Sequence, residues 1–288
     1  MSMTTEFFPP IHEYVRVLVI AGSDSGGGAG IQADLKTLSA LGCYGMTAIT
    51  ALTAQNTQGV RAIHGAPADF LAAQIDAVAS DIGAHAVKIG MLHSAELVDT
   101  VAHAIDRHGL QHIVLDPVMV SATGAKLIEA DAVQALVTQL FPRADLITPN
   151  LDEAALLLGR PVQTADDMPA AAQALLQMGA RAVLLKGGHL PGEEVRDYLL
   201  ERGKDPHVMQ SERVHTPNVH GSGCTLSSAL AAFLAQGLPL ALAAEAARSF
   251  VIDALKSGAG VRTGHGAGPL NHGFSPKAMV FRELANPS

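Results

Sequence analysis

The feature that most constrains the fold is a regular alternation of short apolar runs and longer helical segments. Six runs rich in β-branched residues lie at 15–20, 46–52, 86–89, 112–115, 146–148 and 182–185. Between and after them, apolar residues recur at spacings of three and four, which predicts helices at 29–41, 68–80, 95–107, 130–141, 151–158, 169–178, 225–236 and 240–256. The alternation therefore predicts a chain built from βα units.

The predicted strands are apolar throughout rather than alternating, which indicates burial on both faces and a parallel sheet. We therefore expect an α/β fold, a three-layer α/β/α sandwich with a mostly parallel central sheet. The rhythm breaks at 194–218, where brief runs at 195–200 and 207–209 predict an antiparallel edge extension. Residues 1–13 have no periodicity and are predicted to be a flexible leader, followed by a single domain at 14–288.

Composition excludes several classes of function. The net charge is −8 with no basic run, so we expect no nucleic-acid partner. No segment approaches the ~20 uninterrupted apolar residues of a membrane helix, so we expect no membrane partner. With only two cysteines, Cys43 and Cys224, and no secretory pattern before the first apolar run, a reduced cytoplasmic protein is expected.

Ligands of open parallel sheets bind where the strands end at their carboxyl edge. The residues that follow the predicted strands are therefore candidate site residues, and many are polar or glycine. They are Gly22, Asp24, Gln55, Asn56, Gly90, Met91, Asp116, Asn150, Lys186, Gly187 and Gly188.

A glycine-rich segment at 22–30 lies between a predicted strand and a helix. Glycines there let backbone N–H groups approach an anion at the start of the helix. The segment also satisfies a relaxed dinucleotide fingerprint, but that interpretation requires an acidic residue some ~20 positions further on. No Asp or Glu occurs at 35–68, which argues against a dinucleotide enzyme. A purely structural turn is the other interpretation, and no Walker-type phosphate-binding loop occurs in the chain.

The most specific motif is His-Gly-Ser-Gly-Cys-Thr at 220–225, directly before an Ala-rich helix. Its consecutive backbone N–H groups at a helix N-terminus would form an anion hole for a migrating phosphoryl group. The same helix end lowers a thiol pKa, so Cys224 is predicted to be partly thiolate at neutral pH and able to act as a base. The alternative is a small buried cysteine with no chemical role, which is also our interpretation of Cys43.

The segment Thr-Pro-Asn-Leu-Asp-Glu-Ala at 148–154 has two interpretations. Asn150 and Glu153 have the spacing of a helix-capping pair. Alternatively, Glu153 and Asp116 hold Mg²⁺ through water. Lys186, at the end of a strand, would then supply positive charge to ATP phosphates, whereas a surface lysine is the default alternative.

Eight motifs occur in the order of a known family. They are IAGSDSGGGAGIQADLKT, TALTAQNT, KIGML, LDPVM, ITPNLDEA, LLKGGH, HGSGCTLSSALAA and GHGAGP. From about residue 15 to residue 269 the chain resembles the bacterial hydroxymethylpyrimidine and phosphomethylpyrimidine kinases of thiamine biosynthesis, within the ribokinase-like superfamily. The resemblance implies ATP-dependent phosphorylation of 4-amino-5-hydroxymethyl-2-methylpyrimidine to its monophosphate and then to its diphosphate.

The resemblance also implies roles for individual residues, with ATP and Mg²⁺ as cofactors and a homodimer as the assembly. Those that match pyrimidine-binding positions are Gly22, Asp34, Gln55, Met91 and Val118. The residues that match the Mg²⁺ region are Asp116 and Glu153. Those that match the ATP region are Asn150, Lys186 and Ser222. Cys224 matches the proposed base, within an anion hole that includes Gly221 and Gly223.

The chain departs from the family pattern at three places. Ser25 and Gly26 stand where Pro-Ser is more frequent, and Ser222 stands where Thr is frequent, which keeps the hydroxyl. At 122–124, Ala-Thr-Gly replaces a stretch that usually contains a lysine. Two alternatives remain open: a pyridoxal kinase of the same fold with the same cysteine, and a non-catalytic sensor that binds pyrimidine and nucleotide.

Overall fold

A nine-stranded mixed sheet forms the centre of the computed structural model, which describes residues 11–120 and 127–284. The described residues contain eleven strands, of which β1 and β11 form a separate two-stranded sheet. They are β1 (His12–Tyr14), β2 (Arg16–Asp24), β3 (Tyr44–Asn56), β4 (Gly59–Gly65), β5 (Ala86–Ile89), β6 (Ile113–Leu115), β7 (Leu146–Ile147), β8 (Ala182–Leu185), β9 (Glu194–Glu201), β10 (His207–Glu212) and β11 (Phe281–Glu283). Their order in the large sheet is β10-β9-β8-β7-β6-β5-β2-β3-β4.

The middle of this sheet, from β8 to β3, is parallel, and both edges are antiparallel. β9 and β10 extend one edge, which confirms the predicted extension, and β4 pairs with β3 at the other. Every side chain of β5 and β8 is buried, as expected for strands covered on both faces.

The eight α-helices of the described residues connect these strands. They are α1 (Gly30–Ala40), α2 (Ala68–Asp81), α3 (Ala95–His108), α4 (Ala130–Ala135), α5 (Leu151–Leu158), α6 (Met168–Gln177), α7 (Ser222–Ala235) and α8 (Leu240–Gly258). Local sequence sets their ends: the Ser94 side chain accepts a hydrogen bond from the Leu97 amide at the start of α3, and left-handed Gly109 ends it. No helix in the described part of the chain is long and apolar enough to span a membrane.

Two hydrophobic cores lie on opposite faces of the sheet. Because side chains alternate along a strand, Leu18 and Ile20 of β2 pack into one core, and Val17 and Val19 into the other. The first core includes buried residues of α2, α3 and α6, and the second includes those of α1, α7 and α8. The predicted three-layer α/β/α sandwich is thereby confirmed.

The structure corrects two predictions near the edges of the fold. Residues 12 and 13, predicted to lie in a flexible leader, belong to β1, which pairs with β11. The Tyr14 ring lies 5.8 Å from that of Tyr44 and 5.3 Å from that of Phe281, and this aromatic packing fixes the segment. Residues 1–10 of the predicted leader lie outside the described residues. β4 was not predicted, because it is largely exposed and has no apolar run.

Candidate functional site

The candidate residues converge at the carboxyl edge of the parallel strands. Asp116 follows β6 directly, and its amide donates to the Ile89 carbonyl at the end of β5. Asn150 and Lys186 follow β7 and β8 and are bridged to each other as neighbours in the sheet. Short parallel strands that end at the same level thus bring residues from distant parts of the chain together.

Asp116 and Lys186 form a buried ion pair at the centre of this edge. The Lys186 Nζ lies 2.9 Å from Asp116 Oδ1, which also accepts a hydrogen bond from the Thr148 hydroxyl at 3.0 Å. Burial raises the pKa of Asp116, but the charges of Lys186 and Lys88 outweigh it and hold the pKa below its ordinary value. Asp116 is therefore ionised, and Lys186 is directed into the site rather than into bulk solvent.

Asn150 and Glu153 form a capping box at the start of α5. The Asn150 side chain accepts from the Glu153 amide at 2.8 Å, and Glu153 Oε2 accepts from the Asn150 amide at 2.8 Å. The structural interpretation of this pair is thus present. Burial raises the pKa of Glu153 to about 7, with Lys186 opposing and Asp116 reinforcing the shift. A carboxyl that titrates near neutrality is also compatible with a chemical role.

The residue pair Asp116 and Glu153 fits a Mg²⁺ ion held largely through water. In the described part of the chain, no group of three or more His, Cys, Asp and Glu side chains has metal-binding geometry. Magnesium sites of phosphotransferases commonly use one or two carboxylates and complete the octahedron with nucleotide phosphates and waters. Two carboxylates beside a lysine at a sheet edge satisfy that requirement when a nucleotide is bound.

The segment 221–224, which we call the anion loop, consists of the N-cap residue Gly221 and the first three residues of α7. Gly221 has φ +86°, and a Cβ added there would lie 1.9 Å from the Gly28 carbonyl oxygen, so only glycine fits. The helix begins at Ser222, three residues earlier than predicted. Within the described residues, the amides of Gly223 and Cys224 donate to no backbone carbonyl and remain available to an anion.

The anion loop adjoins the ion pair described above. A Cβ added to Gly223 would lie 3.3 Å from Lys186 Nζ and 3.6 Å from Asp116 Oδ2. The hydroxyl of Ser227, one turn further along α7, donates to Asp116 Oδ2 at 3.4 Å. Helix-terminal amides and a lysine ammonium are therefore combined in one site for an anion.

Cys224 differs from its prediction in one respect. Burial raises the pKa of its thiol to about 11, and the charges of Asp34 and Asp116 act in the same direction. Lys88 and the Gly30 amide oppose this shift without reversing it. In the unliganded protein the thiol is thus protonated at neutral pH, because desolvation outweighs the helix end.

An apolar bed lies at the carboxyl ends of β2 and β5. Met91 belongs to a small cluster with Ala51 and Leu127, and Val118 packs against it. A Cβ added to Gly22 would lie 2.7 Å from Met91 Cε, so the glycine keeps the backbone of β2 within reach of this bed. Three predicted pyrimidine-binding residues are thus close together and could cover one face of a flat ring.

Gln55, near the end of β3, pairs with Val60 of β4, which packs against the apolar bed. The Thr53 hydroxyl lies 3.1 Å from its Oε1, and its Nε2 lies 3.4 Å from Nε2 of His220, which precedes the anion loop. The Ser25 hydroxyl contacts both the amide and the carbonyl of Gln55 at 2.8 Å. Ser25, one of the departures from the family pattern, therefore secures the backbone of a predicted substrate-binding residue.

Asp34, which the resemblance assigns to pyrimidine binding, is not accessible to a ligand in this structure. It is fully buried, and its two carboxylate oxygens accept hydrogen bonds from Lys88 Nζ at 2.9 Å, with a further bond from the Ser228 hydroxyl at 2.7 Å. With no exposed surface, Asp34 offers nothing to a ligand in this conformation. We revise its role to that of a support beneath the site.

Two residues were missed in the sequence. Lys88 is charged and fully buried in β5; burial lowers its pKa, but Asp34, Cys224 and Asp116 raise it above the ordinary value. A lysine inside the run Ala-Val-Lys-Ile was the signal available. His220 begins the motif at 220–225, but the sequence analysis assigns it no role of its own, although its position directly before the anion loop was a signal. The departures at 122–124 lie outside the described residues.

Comparison with known proteins gives consistent results. The sequence model of a family described as phosphomethylpyrimidine kinase matches residues 24–271. A hydroxymethylpyrimidine/phosphomethylpyrimidine kinase of Rhizobium meliloti is 48% identical over 256 residues, which cover 88% of this chain and 96% of the relative.

Two solved structures extend the comparison. A phosphomethylpyrimidine kinase from Clostridium difficile 630 has a TM-score of 0.74 at 41% identity and covers 83% of this chain and 99% of its own. A pyridoxal kinase from Staphylococcus aureus, in complex with AMP-PCP and pyridoxal, has a TM-score of 0.82 at 32% identity and covers 93% of this chain and 98% of its own.

Proposed function

Because the chain belongs to the phosphomethylpyrimidine kinase family and has its ribokinase-like α/β fold, we propose that it phosphorylates 4-amino-5-hydroxymethyl-2-methylpyrimidine. The phosphoryl donor is ATP, and a second transfer converts the monophosphate to the diphosphate. The observation that carries the proposal is the contact between Gln55 and His220, because it brings a side chain able to recognise an aminopyrimidine edge next to the anion loop.

The substrate half of the site suits a small aminopyrimidine. Met91 and Val118 provide an apolar surface for the ring, and Gly22 leaves room beside it. The side-chain amide of Gln55 has one acceptor and one donor group, as the edge formed by a ring nitrogen and an amino group requires. The hydroxymethyl group is then directed towards Cys224.

The phosphoryl half of the site suits the triphosphate of ATP. Lys186 and Asn150 contact the phosphates, with the Ser222 hydroxyl beside them, and the amides of Gly223 and Cys224 stabilise the charge on the group in transit. Gly221 provides the turn that exposes those amides. Asp116 and Glu153 hold Mg²⁺, which when bound would neutralise charge on the transferring phosphates.

Cys224 is proposed to take the proton of the hydroxymethyl group. Its thiol is protonated in the unliganded protein, so this role requires its pKa to fall from about 11 when the ligands are bound. Lys88 is the buried charge that already favours the thiolate. The second acceptor is a phosphate, which has little need of a base, so Cys224 matters less for the second transfer.

A pyridoxal kinase is the second candidate, since the Staphylococcus aureus protein has the same fold. Competition between the two substrates separates the candidates. With equal concentrations of hydroxymethyl-pyrimidine and pyridoxal, we expect the pyrimidine to be consumed first. Replacing Gln55 by Leu should reduce kcat/KM for the pyrimidine by about 10- to 100-fold, the effect of an unmatched polar edge. Preferential consumption of pyridoxal would favour the second candidate.

We also propose a cytoplasmic homodimer. The thiols of both Cys43 and Cys224 are free, as a reducing compartment requires. The β3–β4 hairpin exposes Leu52 and Ile63 at 53% and 39%, an apolar surface suited to a second copy. Light scattering of the purified protein should give twice the chain mass, and Leu52→Glu should lower it to that of one chain.

A further inference from the structure

Asp24 connects the glycine-rich segment at 22–30 with His220, the residue that precedes the anion loop. It is the last residue of β2 and is only 3% exposed. Its Oδ1 accepts from the Gly26 amide at 2.8 Å, and its Oδ2 accepts from the amides of Gly28 and Ala29 at 3.1 and 2.9 Å. Oδ2 also lies 2.8 Å from His220 Nε2. One carboxylate thus secures the glycine-rich turn and the residue before the anion loop.

The protonation of His220 Nε2 follows from these contacts. Burial raises the pKa of Asp24, but hydrogen bonds from His220, Ala29 and Gly26 outweigh it, so the pKa lies below the ordinary value. An ionised carboxylate only accepts hydrogen bonds, and therefore Nε2 of His220 must carry the hydrogen. This holds for the neutral ring protonated at Nε2 and for the imidazolium alike.

The same hydrogen determines which way the Gln55 amide faces. A protonated Nε2 has no free lone pair, so it cannot accept from the Gln55 amide nitrogen that lies 3.4 Å away. The oxygen and nitrogen of a glutamine amide are nearly equal in size, so the side-chain amide can turn by half a rotation and exchange their positions. With the amide turned by half a rotation, its oxygen rather than its N–H faces the His220 N–H, whose hydrogen is donated to Asp24, and its nitrogen faces Thr53.

Thr53 agrees with this orientation. Its single hydroxyl hydrogen is used in a bond to the Ser23 carbonyl at 2.9 Å, which leaves its oxygen free to accept from Gln55. The His220 N–H then donates to Asp24, the Thr53 hydroxyl to the Ser23 carbonyl and one Gln55 N–H to Thr53, and no two donors face each other. In the opposite orientation, the Gln55 amide hydrogens face the Nε2 hydrogen of His220, which is unfavourable.

We propose that His220 is a positioning residue for substrate specificity: the hydrogen on its Nε2, secured by Asp24, fixes the order of the acceptor and donor on the Gln55 amide. The edge of Gln55 then has its oxygen on the His220 side and its N–H on the Thr53 side. This order suits an exocyclic amino group beside a ring acceptor nitrogen. A 4-oxo pyrimidine, with a carbonyl beside a ring N–H, has the opposite order and is rejected.

The inference rests on the proposed function, and the test compares two acceptors. The probes are 4-amino-5-hydroxymethyl-2-methylpyrimidine and its 4-oxo analogue, and the quantity is the ratio of their kcat/KM values. For the unmodified protein the amino compound should be favoured by about 100-fold or more, because the oxo compound leaves both the oxygen and the N–H of the Gln55 amide without a partner. In His220→Leu, Gln55 can turn, and the ratio should fall by about tenfold or more.

His220→Gln is the rescue variant, because its amide N–H can replace Nε2–H and should retain most of the discrimination. His103→Gln, on the exposed surface of α3, is the matched control and should leave the ratio unchanged. A merely structural role of His220 would lower both kcat/KM values equally, and an unchanged ratio in His220→Leu would overturn the proposal.

A nitrogen-15 NMR measurement on the unmodified protein makes the test independent of activity and of variant folding. His220 Nε2 should have the chemical shift of a protonated, pyrrole-type nitrogen. A pyridine-type shift would overturn the inference even if the protein is a pyrimidine kinase. If the protein phosphorylates neither probe but His220 Nε2 is protonated, the proposed function fails while the proton assignment holds.

Discussion

The Lys88 ammonium lies 2.9 Å from both carboxylate oxygens of Asp34, and neither side chain has solvent-exposed surface. The Ser228 hydroxyl completes the set from α7, one helical turn after Cys224. A buried ion pair therefore lies beneath the residue proposed to take the substrate proton. Such pairs contribute little net stability but are costly to break, because one charge is left without a partner.

Removing one partner of this pair should destabilise the protein strongly. We expect Lys88→Met to lower the free energy of unfolding by about 3–5 kcal/mol, since the Asp34 charge is left buried. The double variant Lys88→Met/Asp34→Asn removes both charges and should recover much of the loss. Urea unfolding of the three proteins measures this. A double variant no more stable than Lys88→Met would contradict the account.

Cys224→Ala should slow the first phosphoryl transfer more than the second. Loss of a general base lowers kcat by about 10²- to 10⁴-fold, whereas a phosphate acceptor has no proton that must be removed. Single-turnover assays with the pyrimidine and with its monophosphate measure the two steps. Cys43→Ala is the control, because Cys43 is buried beside Gln236, away from the site. Equal losses in both steps would indicate that Cys224 positions the anion rather than acting as a base.

Gly221→Ala should abolish most activity, whereas Gly237→Ala should not. Both glycines have positive φ, +86° and +91°, and both flank α7, so the backbone strain of about 1–2 kcal/mol is similar. Only at Gly221 would the methyl group meet another atom, the Gly28 carbonyl oxygen at 1.9 Å. Displacement of the anion loop should lower kcat by about 10²-fold or more. Similar kcat values for the two variants would refute the role given to Gly221.

His272 should make the stability depend on pH. Burial, together with the charge of Lys36, lowers its pKa from the ordinary value of 6.5 to about 4. The unfolded chain therefore binds more protons in this range, and the contribution of the neutral ring, present above pH 6.5, is lost as the pH falls towards 4. The loss is up to about 3 kcal/mol.

The comparison of wild type with His272→Asn isolates this effect. The variant does not titrate at this position, so its unfolding free energy should fall less steeply between pH 6.5 and pH 4. Urea titrations across this range measure both slopes, and His103→Gln, with an exposed ring, should keep the wild-type slope. Parallel curves for wild type and His272→Asn would contradict the lowered pKa.

The sequence predicts the framework of this fold well because its central strands are buried. The predicted bounds of β5 and β8 match those of the structure. Continuous apolar strands that alternate with helices are typical of a parallel sheet covered by helices on both faces, and few other folds accommodate them. The edge strand β4 has no such constraint: it is exposed, and its pairing depends on β3 rather than on its own residues.

The site is only partly predictable, because charge pairing depends on contacts between distant residues. The positions after strands indicated Asp116 and Lys186, which the structure brings to 2.9 Å. Nothing in the local sequence of Asp34 indicates that Lys88, 54 residues further on, neutralises it and removes it from solvent. Likewise, a helix N-terminus predicts a low thiol pKa for Cys224, whereas the surrounding burial raises it.

The most direct test is to identify the products of the purified protein incubated with Mg-ATP and hydroxymethyl-pyrimidine. The account predicts that mass spectrometry detects first the monophosphate and then the diphosphate of the pyrimidine, with matching release of ADP. Absence of both phosphorylated pyrimidines, with pyridoxal phosphate formed when pyridoxal is supplied instead, would contradict the account.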